Sequence, residues 1–522
     1  MTDNAVVTQN AEITKPKREF STLECVFAWA CFVAGYIFCR AFPVSKHSLG
    51  GFLFVFALFA VSTVILHLKV GSLKIFPLIV AASSISISAS LLISANTFIH
   101  FWAYSYALVA YCYFVYSATG NTIEKGFSDF ILIDFFKALL IMPFYSFGNI
   151  FKAMFSGKAK KSGRFIAKLI LGLFIAIVPT FIVLMLLSYD HDFGRLLDNI
   201  FDFSLFDVLS HFFSVVFGIP IGMYVFGLFV SSVDKKAEKD ITVEGCQKAS
   251  KMIKIVPVVT SISAVVPILF LYAVFFISQW KYYVSGFTGV LPENFSYAEY
   301  AREGFFQLCM VSFINLAIII TISLFMKRKN RIVLMVISTI FSLSTLVLIS
   351  TAIAKMVMYI DYYGLTQKRV YSTWLMIVFA IIFVLIIVRQ FVSKIKIIAT
   401  SLAVTIVMFA GLSLSNVDGY IAKYNVDRYM NGSLDTVDVS ALEELGDSAI
   451  PQMVRLAEAM KDDGNVKFEQ ETYMELMSIL QTKSYRYTAS EGKDIFSYNL
   501  PYLAAQKAIK NTTLELAVTE PD

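Results

Sequence analysis

The chain predicts an all-α fold, a polytopic helical integral membrane protein, and three observations carry that prediction. The first is composition: 57% of its residues are apolar and 15% aromatic, and the mean hydropathy is +0.69. Soluble domains do not reach that balance. The second is a ladder of about 11 apolar segments, each long enough to cross a hydrocarbon core. The third is charge. Lys and Arg concentrate in every second gap of the ladder: Lys15, Lys17 and Arg18; Lys69 and Lys74; the 158–164 run; the 235–254 run; 327–331; and 389–396. Basic loops resist translocation and mark the cytoplasmic face.

The segments fall near 22–42, 51–68, 75–95, 97–118, 165–187, 207–232, 255–279, 305–326, 332–354, 373–391 and 396–415. The first follows a polar N-terminal stretch, 1–21. It carries bulky residues where a signal peptidase needs small ones, so it reads as an uncleaved span. The third and fourth are joined by a few residues around Asn96 and form a tight hairpin. The opposite gaps hold only scattered cations: Arg40, Lys46, Arg195, Lys281, Arg302, Lys355, Lys368 and Arg369. The bias is roughly threefold and places the N-terminus in the cytoplasm. An odd number of spans then puts the C-terminal tail, 416–522, outside.

Three connecting stretches interrupt the alternation of spans and loops, the third being the external loop 282–304. In 126–155, Asp129, Asp134, Lys137 and Pro143 break an apolar pattern, as expected of an amphipathic segment lying in the cytoplasmic interface without crossing. The acidic and aromatic stretch 191–206 suits an external interfacial position. The tail is soluble in composition. Helical spacing appears in 418–430, 439–445, 449–460 and 468–481, with turns at Asn431-Gly432, Gly446-Asp447 and Asp463-Gly464. A frayed end is expected from Asn511 onward.

Few side chains point to chemistry. Buried charge in hydrocarbon usually marks a pathway, but Glu24, Lys168, Asp207 and His211 all lie near span ends. The deepest polar group is Asn315, with Gln307 two turns earlier; an interhelical hydrogen bond accounts for Asn315. Pro179, Pro220, Pro257 and Pro267 lie within spans, where each removes a backbone hydrogen bond and would kink a helix or open a cavity. The stretches Gly218-Ile219-Pro220-Ile221-Gly222 and Pro257 to Pro267 are the natural places for such a break. HExxH, GxSxG, Walker A and GxGxxG patterns are absent, the five histidines are scattered, and the six cysteines show no pairing or ligand spacing. No cofactor, metal or nucleic-acid partner is expected. The expected partners are the lipid bilayer and, beyond it, a membrane protein.

Two loops on the same expected side are dense in aromatic and charged residues: 282–304, with YAEYAREGF at 297–305, and YGLTQKRVY at 363–371. Ser296-x-x-Glu299 there is a helix-capping box. With NVDGYIAKYNVDRY at 416–429 and GDSAIP at 446–451, these pieces resemble a bacterial family of polytopic membrane proteins, frequent in Gram-positive genomes and known only as a domain of unknown function. The resemblance covers roughly 165–455. It implies continuity of fold and location, and no activity. The residues themselves suggest either an aromatic belt with local ion pairs or a polar external site built from Glu299, Arg302, Asp361, Lys368 and Arg369, with Arg302–Asp361 the first expected pair.

Three function classes follow. A scaffold or sensory accessory component of the cell envelope would use the tail or 126–155 for docking, and stands slightly ahead. A transporter or permease would need a water-filled cavity between the proline-bearing spans. A membrane-embedded enzyme would need the external polar residues to converge at headgroup level.

Overall fold

The computed structural model describes residues 18–41, 48–155, 205–236, 241–278, 305–326, 331–461, 470–489 and 495–516, with scattered helical positions between 172 and 187. In chain order the helices are α1 (Thr22–Ala41), α2 (Ser48–Val70), α3 (Ile75–Ser88), α4 (Ser90–Ile93), α5 (Thr97–Ala118), α6 (Ile131–Phe136) and α7 (Asn149–Phe155). They continue with α8 (Leu205–Val233), α9 (Val243–Ile253), α10 (Val258–Ser278), α11 (Phe305–Phe325), α12 (Arg331–Tyr363), α13 (Gln367–Phe391) and α14 (Ile397–Leu414). The tail holds α15 (Val417–Met430), α16 (Val439–Glu443), α17 (Ile450–Lys461), α18 (Gln470–Ala489) and α19 (Leu500–Asn511). Among the described residues, ten helices are long and apolar enough to span a membrane. The expected segment at 165–187 lies largely outside the described residues. The chain is thus a polytopic all-α membrane protein.

The chain divides into two compact units: residues 1–40 with 143–230, and residues 41–142 with 231–522. In the first, α1 packs on α8. The ring of Phe27 lies 4.6 Å from that of Phe229 and 6.2 Å from that of Phe226. Pro220 sits inside α8 without ending it. The glycines around it are in close contact with α1: a Cβ on Gly222 would fall 2.8 Å from the Cys31 carbonyl oxygen, and one on Gly218 would fall 2.8 Å from the Gly35 carbonyl carbon. This is small-residue packing between helix backbones. The stretch expected to break a helix is instead where two helices approach most closely. Glu24 closes the start of α1 as a capping box, accepting from the Ser21 backbone N–H at 2.8 Å and from Arg18 at 3.0 Å.

In the second unit the spans run between two polar ends. One end carries the first residue of α2, the 94–96 turn, the 364–366 turn and the tail. The other carries the 119–130 loop, the start of α10, the end of α11 and the start of α14. At that second end Lys396 reaches Glu124 at 3.0 Å and the Phe127 carbonyl at 2.8 Å. The Asp129 carboxylate accepts from the Ile398 N–H at 3.0 Å, satisfying an otherwise unpaired donor of the first turn of α14. An isolated parallel bridge joins Val256 to Met326. Pro257 stands immediately before α10 and not within it, a place where its missing N–H costs nothing. Pro267 is inside α10, and Pro179 is helical and exposed.

The 126–155 stretch departs from the expected amphipathic arrangement. Asp134 and Lys137 are buried against protein, while Leu132, Phe136, Leu140 and Phe144 face outward. One Asp134 oxygen accepts from the Ile123 N–H at 3.1 Å, and the other is buried without a hydrogen-bond partner. The chain passes through a π-helical turn at Lys137–Ile141 and bends by 51° before α7.

Midway along the spans, Asn315 of α11 is fully buried. It accepts from the Tyr272 hydroxyl of α10 at 2.5 Å and donates to Thr345 of α12 at 2.9 Å. Thr345 in turn donates to its own helix at the Phe341 carbonyl. The deepest amide therefore joins three helices and has both its oxygen and its nitrogen engaged.

The tail has a core of its own, built from Ile421, Ala422, Val426, Leu442, Met453, Leu456, Leu476 and Leu480. α15, α16 and α17 fall where helical spacing placed them, and α18 runs on to Ala489. α19 was not expected. Asn499 caps it, accepting from the Tyr502 N–H at 2.8 Å, and Pro501 occupies its first turn. The end beyond Asn511 is not frayed at its start: Thr512 and Thr513 both donate to the Glu458 carboxylate, at 2.6 and 3.1 Å.

Candidate functional site

The strongest concentration of buried polar contacts lies where α15 of the tail meets two span-connecting turns. The α12–α13 turn is Gly364-Leu365-Thr366. Gly364 has φ +75°, which favours glycine, and a Cβ there would lie 2.5 Å from the Asn425 amide oxygen. Thr366 caps α13 through its hydroxyl. Asn425 of α15 then treats Leu365 as a strand would: the Leu365 N–H donates to its Oδ1 at 2.7 Å, and its Nδ2 donates to the Leu365 carbonyl at 2.8 Å. Both backbone groups of a buried turn residue are satisfied by one amide side chain.

Two turns earlier on α15, Asp418 is 1% exposed. Its two oxygens accept from different elements. The Asn96 amide, in the 94–96 turn, donates at 2.8 Å, and the Gln367 amide, at the start of α13, donates at 3.0 Å. Asn96 simultaneously caps α5, accepting from the Phe98 and Ile99 N–H groups. The Asn96 N–H donates to Ser94 Oγ, and the Ser94 carbonyl lies 2.8 Å from the His100 ring nitrogen. Phe98 and Tyr371 stack at 5.0 Å beside this chain of contacts. Burial pushes the Asp418 carboxyl above the usual carboxylate range, and the two amide donors pull it partly back.

The candidate residues distribute unevenly around this junction. Arg369 stacks on the Tyr359 ring at 4.1 Å, and its guanidinium donates to the Tyr363 and Gly364 carbonyls, closing the C-terminal turn of α12. Asp361 pairs with Arg428 of α15 at 3.7 Å, and the same guanidinium donates to the Asp361 carbonyl at 2.9 Å. Lys368 is exposed at the first turn of α13. Glu299 and Arg302 lie outside the described residues, so the expected Arg302–Asp361 contact does too. Asp361 and Arg369 share a hairpin but serve different partners, so these two described charges form local clamps.

Sequence reading missed Asn96, Gln367, Asp418, Asn425 and Arg428 as a group. Asp418, Asn425 and Arg428 stand in the tail segment already noted, at helical spacing, but nothing in one sequence ties them to partners 51 and more residues away. Among the described residues no group of three or more His, Cys, Asp or Glu is placed to hold a metal ion, and none of the six cysteines is in a disulfide. The junction is built to hold, with the side chains of Asp418 and Asn425 engaged at every oxygen and at the Asn425 nitrogen.

No curated protein and no solved structure matches the chain. A family model described as a domain of unknown function, DUF4153, matches residues 81–456. The match opens in α3, well before 165, and closes within α17, so it takes in the 94–96 turn, the 364–366 turn and α15 together. The chain, a multi-pass membrane protein by its spans, belongs to the DUF4153 family, a domain of unknown function.

Proposed function

We propose that this protein is a scaffold or sensory accessory component of a bacterial plasma membrane, with its N-terminus cytoplasmic and its tail external. One observation carries the reading: α15 is fastened to the 94–96 and 364–366 turns through buried Asp418 and Asn425. A load or ligand on the tail therefore acts on α5, α12 and α13 directly. A permease would need an open polar route along the proline-bearing spans. Next to Pro267-bearing α10, the amide of Asn315 on α11 is spent on contacts with Tyr272 of α10 and Thr345 of α12, which favours a structural role for these three spans.

The orientation is tested by single cysteines at Ser162 and Ser433, in a background freed of native cysteines. Labelling from opposite sides of the membrane is expected. The functional reading is tested by photo-crosslinkers at exposed tail positions Asp435 and Met474 in native membranes. A shared protein partner, captured less well when Asn425→Ala loosens the junction, is expected. Solute flux through the purified, reconstituted chain, with no crosslinked partner, would replace the scaffold reading with the permease.

A further inference from the structure

The tail carries an apolar patch with no place in its own core. Ile495, Phe496, Leu500 and Leu503 are 64%, 46%, 59% and 45% exposed. Opposite them on α19, Pro501, Tyr502 and Ala505 are buried among the tail helices. The outward stripe of α19 runs Leu500, Leu503, Ala504, Lys507, the spacing of one helical face, apolar at its start and cationic a turn later. On a soluble module such a patch marks an interaction surface.

Its position identifies the occupant. The turn at Ile495–Ser497 packs against α2, and α19 packs against α4. Asn499 donates to the hydroxyl of Ser48, the first residue of α2, at 3.2 Å. α4 is the last turn of the span that α3 begins. The patch therefore sits level with the ends of two membrane spans, where hydrocarbon gives way to headgroups. Leu53 and Phe56, in the first turns of α2, are exposed as well and belong to the hydrocarbon-facing surface. We propose that Ile495, Phe496, Leu500 and Leu503 are seated in the lipid of the protein's own membrane, with Lys507 at headgroup phosphate level, so that the tail rests in the bilayer interface as well as on the turns. A half-immersed helix with its lysine toward water is the arrangement an interfacial anchor requires. The inference holds whichever side the tail occupies and whether or not it has a protein partner.

The test uses the full chain in nanodiscs of phosphatidylcholine and phosphatidylglycerol. Spin labels on Phe496→Cys, Leu503→Cys and, as a water-exposed reference, Asp435→Cys are compared in a background freed of native cysteines. At 496 and 503 the ratio of oxygen to nickel-chelate collisions should be severalfold that at 435. Nickel access at 496 and 503 equal to that at 435 overturns the proposal. Shielding from both reagents also overturns it, because it assigns the patch to a second copy or another protein. If removal of the cysteines unfolds the chain, benzoylphenylalanine at 496 in the native background gives the same answer. Adducts of lipid mass are expected at 496 and not at 435; protein adducts alone or no lipid adduct refute the seat.

Discussion

Asn425→Ala isolates the contact between tail and spans. The Asn425 side chain satisfies both backbone groups of Leu365, at 2.7 and 2.8 Å, and Leu365 is 8% exposed. Removing one hydrogen-bond partner from a buried group costs about 1–3 kcal/mol. Two groups are orphaned here, but the space left by the amide admits water, so the lower part of the summed range applies, about 2–3 kcal/mol. The effect should appear first as local opening of the turn. At about 1.4 kcal/mol per factor of ten, exchange of the Leu365 amide hydrogen should accelerate about 30- to 140-fold. Hydrogen exchange with mass spectrometry, on a peptide covering 360–371 in nanodiscs, reads this directly, with Thr436→Ala at an exposed tail position as reference. If exchange across 360–371 stays within about twofold of the unaltered chain, the turn is held by α12 and α13 alone and the clamp does not couple tail to spans.

Other outcomes follow from the same geometry. Gly364→Ala places a side chain at φ +75° against Asn425, and should lower thermal stability by about 1–3 kcal/mol, measured by unfolding in detergent. The raised Asp418 carboxyl favours the protonated folded state. Its contribution is fully present below the ordinary carboxylate value and is lost as pH rises through its higher folded value, so the tail should loosen with rising pH. Asp418→Asn should abolish that slope in a thermal unfolding series across the acid range. Gly222→Leu forces a side chain onto the Cys31 carbonyl and should destabilise the α1–α8 contact by about 1–3 kcal/mol, seen as lowered melting and faster proteolysis. At the other end Lys396→Ala breaks a pair whose side chains are 38% and 43% exposed, and should change stability by less than about 1 kcal/mol.

The spans were legible because the bilayer imposes a length and forbids unsatisfied backbone, so a run of apolar residues has few alternatives to a helix. That is why the expected limits 75–95, 97–118 and 396–415 fall within a few residues of Ile75–Ile93, Thr97–Ala118 and Ile397–Leu414. The ends of the α12–α13 hairpin were harder. Polar and aromatic residues at 355–371 look like a loop, yet α12 runs to Tyr363 and α13 starts at Gln367. Helices continue past the hydrocarbon when something covers them, and here α15 does. The tail helices showed their spacing in sequence except α19, whose outward Leu500 and Leu503 blur the pattern because that face meets a different surroundings from the core.

What the sequence determined by itself was the solvent: a chain this apolar, cut into spanning lengths with cations in alternate gaps, belongs in a membrane as helices. What only tertiary structure decided was the use of each polar residue. Asp361 reads in sequence as a partner for Arg302, and the fold brings Arg428 of α15 to it, 67 residues on. Asp134 and Lys137 read as the wet face of an interfacial helix, and packing turned them inward. Gly218 and Gly222 flank a proline and read as a break, and a neighbouring helix turned them into a contact surface. Apolar burial is set by the composition of a local stretch. A hydrogen bond or ion pair needs two groups within a few ångströms, and for Asp418 with Asn96 those groups are 322 residues apart in the chain.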